Sequence, residues 1–480
     1  MRRERCERRR GAAVVLAAGL AAVALAMVLG ALAMAAPLGF LHVRFNLSQT
    51  ARLVSAPPDL AVSPEGDWVA VAWTEEYAVG AGYDKGRGHV YLRAASETGG
   101  GWGSKIRVFT GTFNACASDV AVAITGTTAH VAYVVFNDSC NDPNQVLLRY
   151  RTCSLTDGRC DAPEAEDPGI SLDAREHSIT WVDLALDAEG NPHLVWSQFF
   201  KAIDENKIFF KASDGTTWGG LEYVESNVNS RKPAIAWADG YVHAVWEEET
   251  ESGIRIRYRR RVESGPDPGW EPATGLCTWQ SSFPPRNPDV AARAGKVFVV
   301  WDWCSDVDFE TKSCVHYNLV YRRSNDRGDG LADNEILEVG TDRPYFDLEY
   351  QSTDNLAQRD ESLVDLQPGI ALNRAGWPAV VWHVDRNSGD EDPDYDVYYT
   401  YALTGTEDSV GWITPTLLGA GGGALGSAVI GVGEPEPGGE QHLHVAYVRK
   451  PDTSNWDVYY DSNEEDRYEH VHLPVVMRAY

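Results

Sequence analysis

The sequence predicts an all-β protein, a seven-bladed β-propeller preceded by an apolar N-terminal helix. A unit of two apolar strands joined by a small-residue turn recurs seven times between Pro58 and Val448. The second strand of each unit ends on an aromatic residue, and a third and usually a fourth strand follow. Four antiparallel strands repeated in this way are typical of a propeller, in which ring closure leaves only short free edges. The spacing of the repeats is compatible with six to eight blades.

In each unit a first segment with a small or acidic start is followed by a second that ends on Trp or Tyr. The pairs are Asp59–Val62 with Val69–Trp73, Asp119–Val122 with His130–Tyr133, Asp183–Leu186 with His193–Trp196, Ala234–Trp237 with His243–Trp246, Asp289–Ala292 with Phe298–Trp301, Gly369–Leu372 with Ala379–Trp382, and Ser427–Ile430 with His444–Tyr447. Because these segments are nearly continuous apolar runs, we expect both faces of each strand to be buried.

The third strands alternate polar and apolar residues, as outer strands do. His130, His193, His243 and His444 recur at one position of the second strand, and this repetition indicates a framework role rather than metal binding. We expect residues 470–476 to form the outer strand of the last blade.

The N-terminus has the form of an export signal. Residues 2–10 carry six Arg and two Glu, and an uncharged apolar stretch follows from Gly11 to Ala36. We therefore divide the chain into residues 1–40, a cleaved signal peptide or a single-pass membrane anchor, and residues 41–480, one propeller domain. The domain is expected outside the cytoplasm, with membrane contact only through the N-terminal segment.

The formal net charge of −28 disfavours anionic partners. Removing the Arg-rich N-terminus makes the exported body still more acidic, and such a field repels nucleic acid and anionic lipid. We expect no nucleic-acid partner and a monomer.

The cysteines fit an oxidising compartment, since seven of the eight follow the N-terminal segment. Local spacing makes three short disulfides plausible and leaves Cys277 over. The candidates are Cys116 with Cys140, Cys153 with Cys160, and Cys304 with Cys314.

The repeat Pro-x-Ile/Val-Ala... Gly-x-x-His-x-x-Trp, with a following Tyr-Arg and a Gly-rich turn, resembles the sialidase-like propeller superfamily with BNR or Asp-box repeats. The resemblance runs from about Ser55 to the C-terminus. Ser324, Asp326 and Gly328 match the Asp-box, with Leu331 in the place of its aromatic residue, and Ser213–Trp218 is a shortened version. The resemblance implies structural turns between third and fourth strands, and the departures from the family's catalytic pattern favour a non-catalytic branch.

Long, variable segments are expected on one face, where the second-to-third loops lie beside the connections between blades. Binding residues concentrate on such loops. Candidate ligand-binding residues there are Glu247, Asp302, Trp303, Asp385, Arg231 and Arg286. We expect no cofactor, although Ca²⁺ is an alternative, with Asp390, Asp392 and Asp394 as candidate ligands and Asp326–Glu335 as a rival loop.

Two functions fit these observations. The first is an exported module that binds an extracellular protein or a glycan through the acidic loop face. The second is a sialidase-like glycoside hydrolase with an altered substrate, for which no catalytic residues are identified. The early Phe/Tyr-Arg-Ile-Pro segment that usually supplies the first Arg of the family's substrate clamp is not found, and Arg231 and Arg286 are its nearest equivalents.

Overall fold

The structure is a computed structural model, and it describes part of the chain. The described residues are 45–49, 53–55, 57–77, 88–96, 101–112, 115–137, 143–161, 167–226, 229–251, 253–264, 268–278, 285–308, 313–331, 337–338, 366–385, 395–405, 410–412, 416–418, 428–433, 442–452 and 455–462. Phe40–Tyr480 forms one compact unit.

The unit is a seven-bladed β-propeller, as the repeats predict. The first four blades are built from the following strands: β3 (Asp59–Val62), β4 (Trp68–Tyr77), β5 (His89–Ser96) and β6 (Ile106–Phe109); β7 (Ala115–Thr125), β8 (Thr128–Asn137), β9 (Gln145–Ser154), β10 (Arg159–Cys160) and β11 (Ile170–Asp173); β12 (His177–Leu186), β13 (Pro192–Phe200), β14 (Glu205–Ala212) and β15 (Glu222–Glu225); and β16 (Asn229–Ala238), β17 (Tyr241–Thr250), β18 (Gly253–Val262), β19 (Gly269–Trp270) and β20 (Thr274–Thr278).

The last three blades are formed by β21 (Arg286–Arg293), β22 (Lys296–Asp308), β23 (Ser313–Ser324) and β24 (Leu337–Glu338); by β25 (Gly369–Leu372), β26 (Pro378–Asp385), β27 (Tyr395–Gly405), β28 (Val410–Trp412) and β29 (Thr416–Leu417); and by β30 (Val429–Val432), β31 (Leu443–Asp452) and β32 (Asn455–Ser462). The first strands of successive blades contact one another in order, and β30 contacts β3. The ring is therefore closed.

The N-terminal side of the chain completes blade 7. β1 (Phe45–Asn46) pairs antiparallel with the outer side of β32, with Phe45 opposite Tyr460. β2 (Leu53–Ser55) bridges β32 and β4, and so joins blade 7 to blade 1. Residues 45–46 thus pair on the outer side of the last blade. Residues 470–476, which we expect to form its outer strand, lie outside the described residues.

The terminal aromatics form the packing between blades. Trp73, Trp196, Trp246 and Trp301 are fully buried. The recurring histidines also belong to the framework: His130, His243 and His444 each share a hydrogen bond with a Tyr hydroxyl of the third strand, at 2.5 to 2.8 Å. In blade 3 a Phe occupies the Tyr position, and His193 contacts Glu263 instead, at 3.0 Å.

The cysteines are partly described. Cys153 and Cys160 form a disulfide across β9 and β10, and Cys116 is also disulfide-bonded. Cys277 is a free, buried thiol, and burial raises its pKa to about 11. Cys304 and Cys314 lie in β22 and β23, and Cys140 is outside the described residues.

The third-to-fourth turn of blade 5 contains the predicted Asp-box residues. The Ser324 hydroxyl donates to the Asp329 carbonyl at 2.7 Å and accepts from the Asp326 N–H at 3.1 Å. Leu331 is 1% exposed and packs into the core between blades 4 and 5. Side chains of the turn therefore hold its backbone and anchor it to the blade.

Gly328→Ala is expected to destabilise the protein more than Gly330→Ala in the same turn. Both glycines have a left-handed φ, 90° and 65°, where a Cβ costs about 1 kcal/mol. A Cβ on Gly328 would lie 2.0 Å from the Tyr258 hydroxyl, whereas nothing lies within 4 Å at Gly330. We expect an additional loss of about 1 to 3 kcal/mol for Gly328→Ala, from overpacking. Urea unfolding of both variants measures the difference, and equal losses would contradict the close packing.

Among the residues that the structure describes, no helix has the length and apolar character needed to cross a bilayer. The predicted N-terminal helix falls at residues 1–40, which lie outside the described part of the chain.

Candidate functional site

A backbone irregularity recurs where the first strand of each blade begins. In blades 2 to 5 the pairing of the first and second strands shifts by a residue, which marks a β-bulge. In each blade one residue of the first strand pairs with the residue just before the terminal aromatic. We call the residue two positions before that first-strand residue the bulge position. It has a left-handed φ of 41° to 51° in five blades, although none of its residues is Gly: Asp119, Trp181, Lys232, Asn287 and Gln367.

The strand pairing in the structure changes how the repeat of blade 2 aligns with the repeats of blades 1 and 3. Asp59 and Asp183 pair with the residues just before Trp73 and Trp196, but in blade 2 Ala121 has that role and pairs with Ala132. Asp119 is therefore equivalent to Trp181, not to Asp59. The bulge inserts a residue that the Asp-x-Ala pattern does not reveal.

A cavity of about 340 Å³ opens where blades 1, 2 and 3 begin. This end of the blades is the face predicted from the loops, because Thr74 lies in the C-terminal half of β4 and Ser118 and Trp181 precede the regular part of β7 and β12. The volume lies in the range of about 300 to 1,000 Å³ that small-molecule sites occupy. The polar and aromatic side chains of its wall are Asp59, Thr74, Ser118, Asp119, Trp181 and Asp183.

Two of the three cavity aspartates link blades. Asp59 accepts the Leu60 N–H at 2.9 Å through one oxygen and the Val122 N–H of blade 2 at 2.6 Å through the other. Asp183 binds its own next residue and the Ile235 N–H of blade 4 in the same way, and Asp289 reaches Ile370 of blade 6. These inter-blade carboxylates lie in blades 1, 3 and 5, and Ala121, Ala234 and Gly369 take the same position in blades 2, 4 and 6.

The inter-blade carboxylates are strongly desolvated. Burial, and secondarily repulsion by Asp183, raise the pKa of Asp59 to about 8 against the effect of its two backbone hydrogen bonds. The same two causes raise the pKa of Asp289 to about 7. Burial also raises the pKa of Asp183. At neutral pH Asp59 therefore holds its proton, and the carboxyls grouped at the mouth of the central channel oppose one another's ionisation.

Asp119 differs from these carboxylates because it accepts a long hydrogen bond from a neighbouring hydroxyl and does not bind the backbone of the next blade in the way Asp59 and Asp183 do. The Ser118 hydroxyl donates to Asp119 Oδ2 at 3.3 Å. Burial raises the pKa of Asp119, and the Ser118 bond only partly offsets this. Asp119 and Trp181 are the side chains of the cavity wall that the inter-blade hydrogen bonds leave available to a ligand.

Trp181 is the aromatic element of the wall. Trp181 is 39% exposed although it is large and apolar, and its backbone has a φ of 50°. An aromatic residue in this region costs about 1 to 3 kcal/mol and persists only where the surrounding structure holds it. Exposed aromatics on a rigid strand end serve well as contact surfaces.

On the other side of the channel mouth the bulge residues connect blades. Glu247 is 1% exposed, and its carboxylate binds Arg231 Nε at 2.9 Å and Lys232 Nζ at 3.3 Å. It also accepts the Asn287 N–H at 2.8 Å. Asn287 Nδ2 in turn donates to Asp302, which accepts the Leu366 N–H of blade 6. We call these residues of blades 4 to 6 the rim network.

The structure brings three of the predicted binding residues together, since Arg231, Glu247 and Asp302 all belong to the rim network. Arg286 lies opposite Asp302 across the first ladder of blade 5, and half-buried Trp303 follows Asp302. Asp385 ends β26, and its side chain is outside the described part. Asp390, Asp392 and Asp394 are also outside the described residues.

Sequence reasoning missed the cavity residues Asp119, Trp181, Thr74 and Ser118. One signal was available: Trp181 precedes Val-Asp at the strand entrance where blades 4 and 5 carry Lys-Pro and Asn-Pro. A large aromatic at a position occupied elsewhere by polar residues departs from the repeat.

A group of possible metal ligands occurs on the opposite face, at Asp187, His193 and Glu263. Their atoms already have protein partners. Asp187 accepts two backbone N–H groups and the Asn191 amide, and Glu263 accepts from Arg261 and Trp237 besides its contact with His193. We interpret this group as a hydrogen-bonded network.

No family model and no curated protein match this sequence. Solved structures that resemble the chain include a protein of unknown function from Dyadobacter fermentans, with a TM-score of 0.47, 10% identity and coverage of 87% of this chain and 97% of that one. A Penicillium chrysogenum alpha-L-arabinanase complexed with arabinobiose has a TM-score of 0.43, 13% identity and coverage of 88% and 99%. A Trypanosoma rangeli sialidase in complex with sialic acid has a TM-score of 0.41, 10% identity and coverage of 87% and 58%.

Proposed function

We propose that this chain is an exported glycan-binding propeller that takes its ligand in the cavity at the channel mouth. The observation that carries the proposal is the exposed Trp181 at the wall of this cavity. Export is supported by the Arg-rich, then apolar, N-terminal segment of the sequence.

The position of Trp181 supports binding more than stability. An exposed indole gains little from burial, and its left-handed backbone adds strain. The side chain therefore has two costs in the free protein. A ligand that stacks on the ring would recover apolar contact, and a sugar ring presents such an apolar face together with hydroxyl groups.

The remaining cavity wall supplies polar partners for those hydroxyls. Asp119 offers a carboxyl, and Ser118 and Thr74 offer hydroxyls. An apolar platform with a few convergent polar groups is the usual composition of a small-ligand site. The framework around it is rigid because Asp59 and Asp183 tie blades 1 to 2 and 3 to 4.

Trp181→Ala is expected to weaken glycan binding by about tenfold or more, corresponding to about 1.4 kcal/mol of lost stacking. The probe is a glycan array carrying neutral and charged oligosaccharides, followed by calorimetric titration of the hits. Tyr223→Ala is the matched control, because Tyr223 is 50% exposed on the outer strand of blade 3, away from the cavity wall. Binding that survives Trp181→Ala but not Tyr223→Ala would place the site elsewhere.

Glycoside hydrolysis is the second candidate, favoured by the raised pKa values of Asp59 and Asp119. A buried carboxyl with a raised pKa is suited to general acid catalysis. However, within the described part of the cavity wall no residue is Arg, Tyr or Glu, the groups that the sialidase resemblance implies. Fluorogenic glycosides, sialosides included, test this function: turnover that disappears in Asp119→Asn would support an enzyme and contradict a purely binding role.

A further inference from the structure

The cavity wall carries three carboxyl groups, from Asp59, Asp119 and Asp183, and among the wall residues that the structure describes none is Lys, Arg or His. The nearest bulge residue that is cationic is Lys232 of blade 4. Its ammonium group is engaged by Glu247 and by Asn287 Oδ1 in the rim network. Arg231 is held by the same Glu247. The cationic side chains of Lys232 and Arg231 are therefore engaged by the rim network.

The carboxyl groups also affect one another. Repulsion from Asp183 and from Asp289 adds to the burial that raises the pKa of Asp59. A positive charge in the cavity would relieve this repulsion, and the low local dielectric would strengthen the attraction. The indole of Trp181 acts in the same direction, because the face of an aromatic ring attracts a cation.

From this combination of a carboxyl-lined cavity and an exposed indole we propose that the ligand is a cationic amino sugar, with a free ammonium group directed at Asp119 and the sugar ring stacked on Trp181. This rests on the proposed glycan-binding function and narrows it to one ligand class. An ammonium group beside Asp119 would favour the ionised form of this carboxyl, whereas a neutral sugar would not and an anionic sugar would oppose it.

The test compares a β-1,4-linked glucosamine tetrasaccharide with its fully N-acetylated counterpart by calorimetric titration of wild-type protein at low salt and pH 6.5. These probes share the linkage and differ in the positive charge. We expect the free amine to bind about tenfold or more tightly, as for one desolvated charge pair. The preference should shrink at high salt, because exposed parts of the field are screened.

Asp119→Asn removes the charge while keeping a side chain that tolerates a left-handed backbone. We expect it to lower the affinity for the amine about tenfold and to bring the ratio of the two affinities close to one. Glu189→Gln is the matched control: Glu189 is an exposed carboxylate on the turn between β12 and β13, at the opposite face, and its loss should keep the ratio unchanged.

The outcomes separate the two proposals. Equal affinities for both tetrasaccharides, lost in Trp181→Ala, would overturn the amine preference and leave the glycan-binding function standing. Calcium chloride that binds wild type but not Asp119→Asn and displaces the amine would show a metal site and overturn the inference. Failure of every oligosaccharide to bind would overturn the glycan-binding function itself.

Discussion

Glu247→Ala is expected to lower the free energy of unfolding by about 3 kcal/mol, the larger of the effects expected from a single side chain here. The carboxylate is 1% exposed and holds Arg231, Lys232 and the Asn287 N–H at once. Its removal leaves two cations and a backbone donor without their common partner. Denaturant unfolding of the purified variant measures the loss.

Two further variants separate the contributions of charge and contact. Glu247→Gln keeps an acceptor for the Asn287 N–H but removes the charge, and an intermediate loss is expected. Glu271→Ala is the control, because Glu271 has a side chain that is 40% exposed and Arg260 keeps a second carboxylate, that of Asp329. Because the Glu271 carboxylate is partly solvated and Asp329 remains as a partner of Arg260, we expect a loss of less than about 1 kcal/mol. A Glu247→Ala loss no larger than that of Glu271→Ala would mean that the rim network does not stabilise the junction between blades 4 and 5.

The rim network also shows which parts of the site a sequence reveals. Acidic and basic residues beside the strand ends could be assigned to one face from the sequence, because strand order alone decides which ends of the blades carry the connections. Their partners were not predictable. Glu247 pairs with Arg231, Lys232 and Asn287, which lie at β-bulges. A bulge shifts the register by one residue without altering the apolar pattern.

The fold was predictable because the repeats encode it, whereas parts of the site depend on features that the repeats do not show. Seven repeats ending on aromatic residues specify blades, because each blade must bury its aromatic against a neighbour. Closure of the ring depends on two short strands before the first repeat, Phe45–Asn46 and Leu53–Ser55, which are too short to show any periodicity. Trp181 was not singled out from the sequence, because composition does not distinguish an exposed indole from a buried one.

The pH dependence of stability should report the inter-blade carboxylates directly. In the folded protein the pKa of Asp59 is raised to about 8 and that of Asp289 to about 7, from the ordinary aspartate value of 3.8. Between pH 6.5 and 8.5 these groups are ionised in the unfolded chain but bind protons in the folded one. The folded state binds more protons, so its stability falls as the pH rises. The expected loss over this interval is about 2 to 3 kcal/mol, at about 1.4 kcal/mol for each pH unit and group.

Asp59→Asn should remove most of this dependence, because Asp59 has the higher of the two pKa values. Asp67→Asn, an exposed residue on the turn between β3 and β4 of the same blade, should leave it unchanged. Measurements above pH 6.5 are the informative ones. Burial lowers the pKa of His130 to about 4 and that of His243 to about 3, so between about pH 4 and 6.5 these imidazoles bind protons only in the unfolded chain and stability there falls with falling pH, which opposes the carboxylates. A wild-type free energy of unfolding that is flat or rising from pH 6.5 to 8.5 would mean that Asp59 and Asp289 are ionised in the folded ring, with the backbone N–H groups of the neighbouring blades outweighing desolvation.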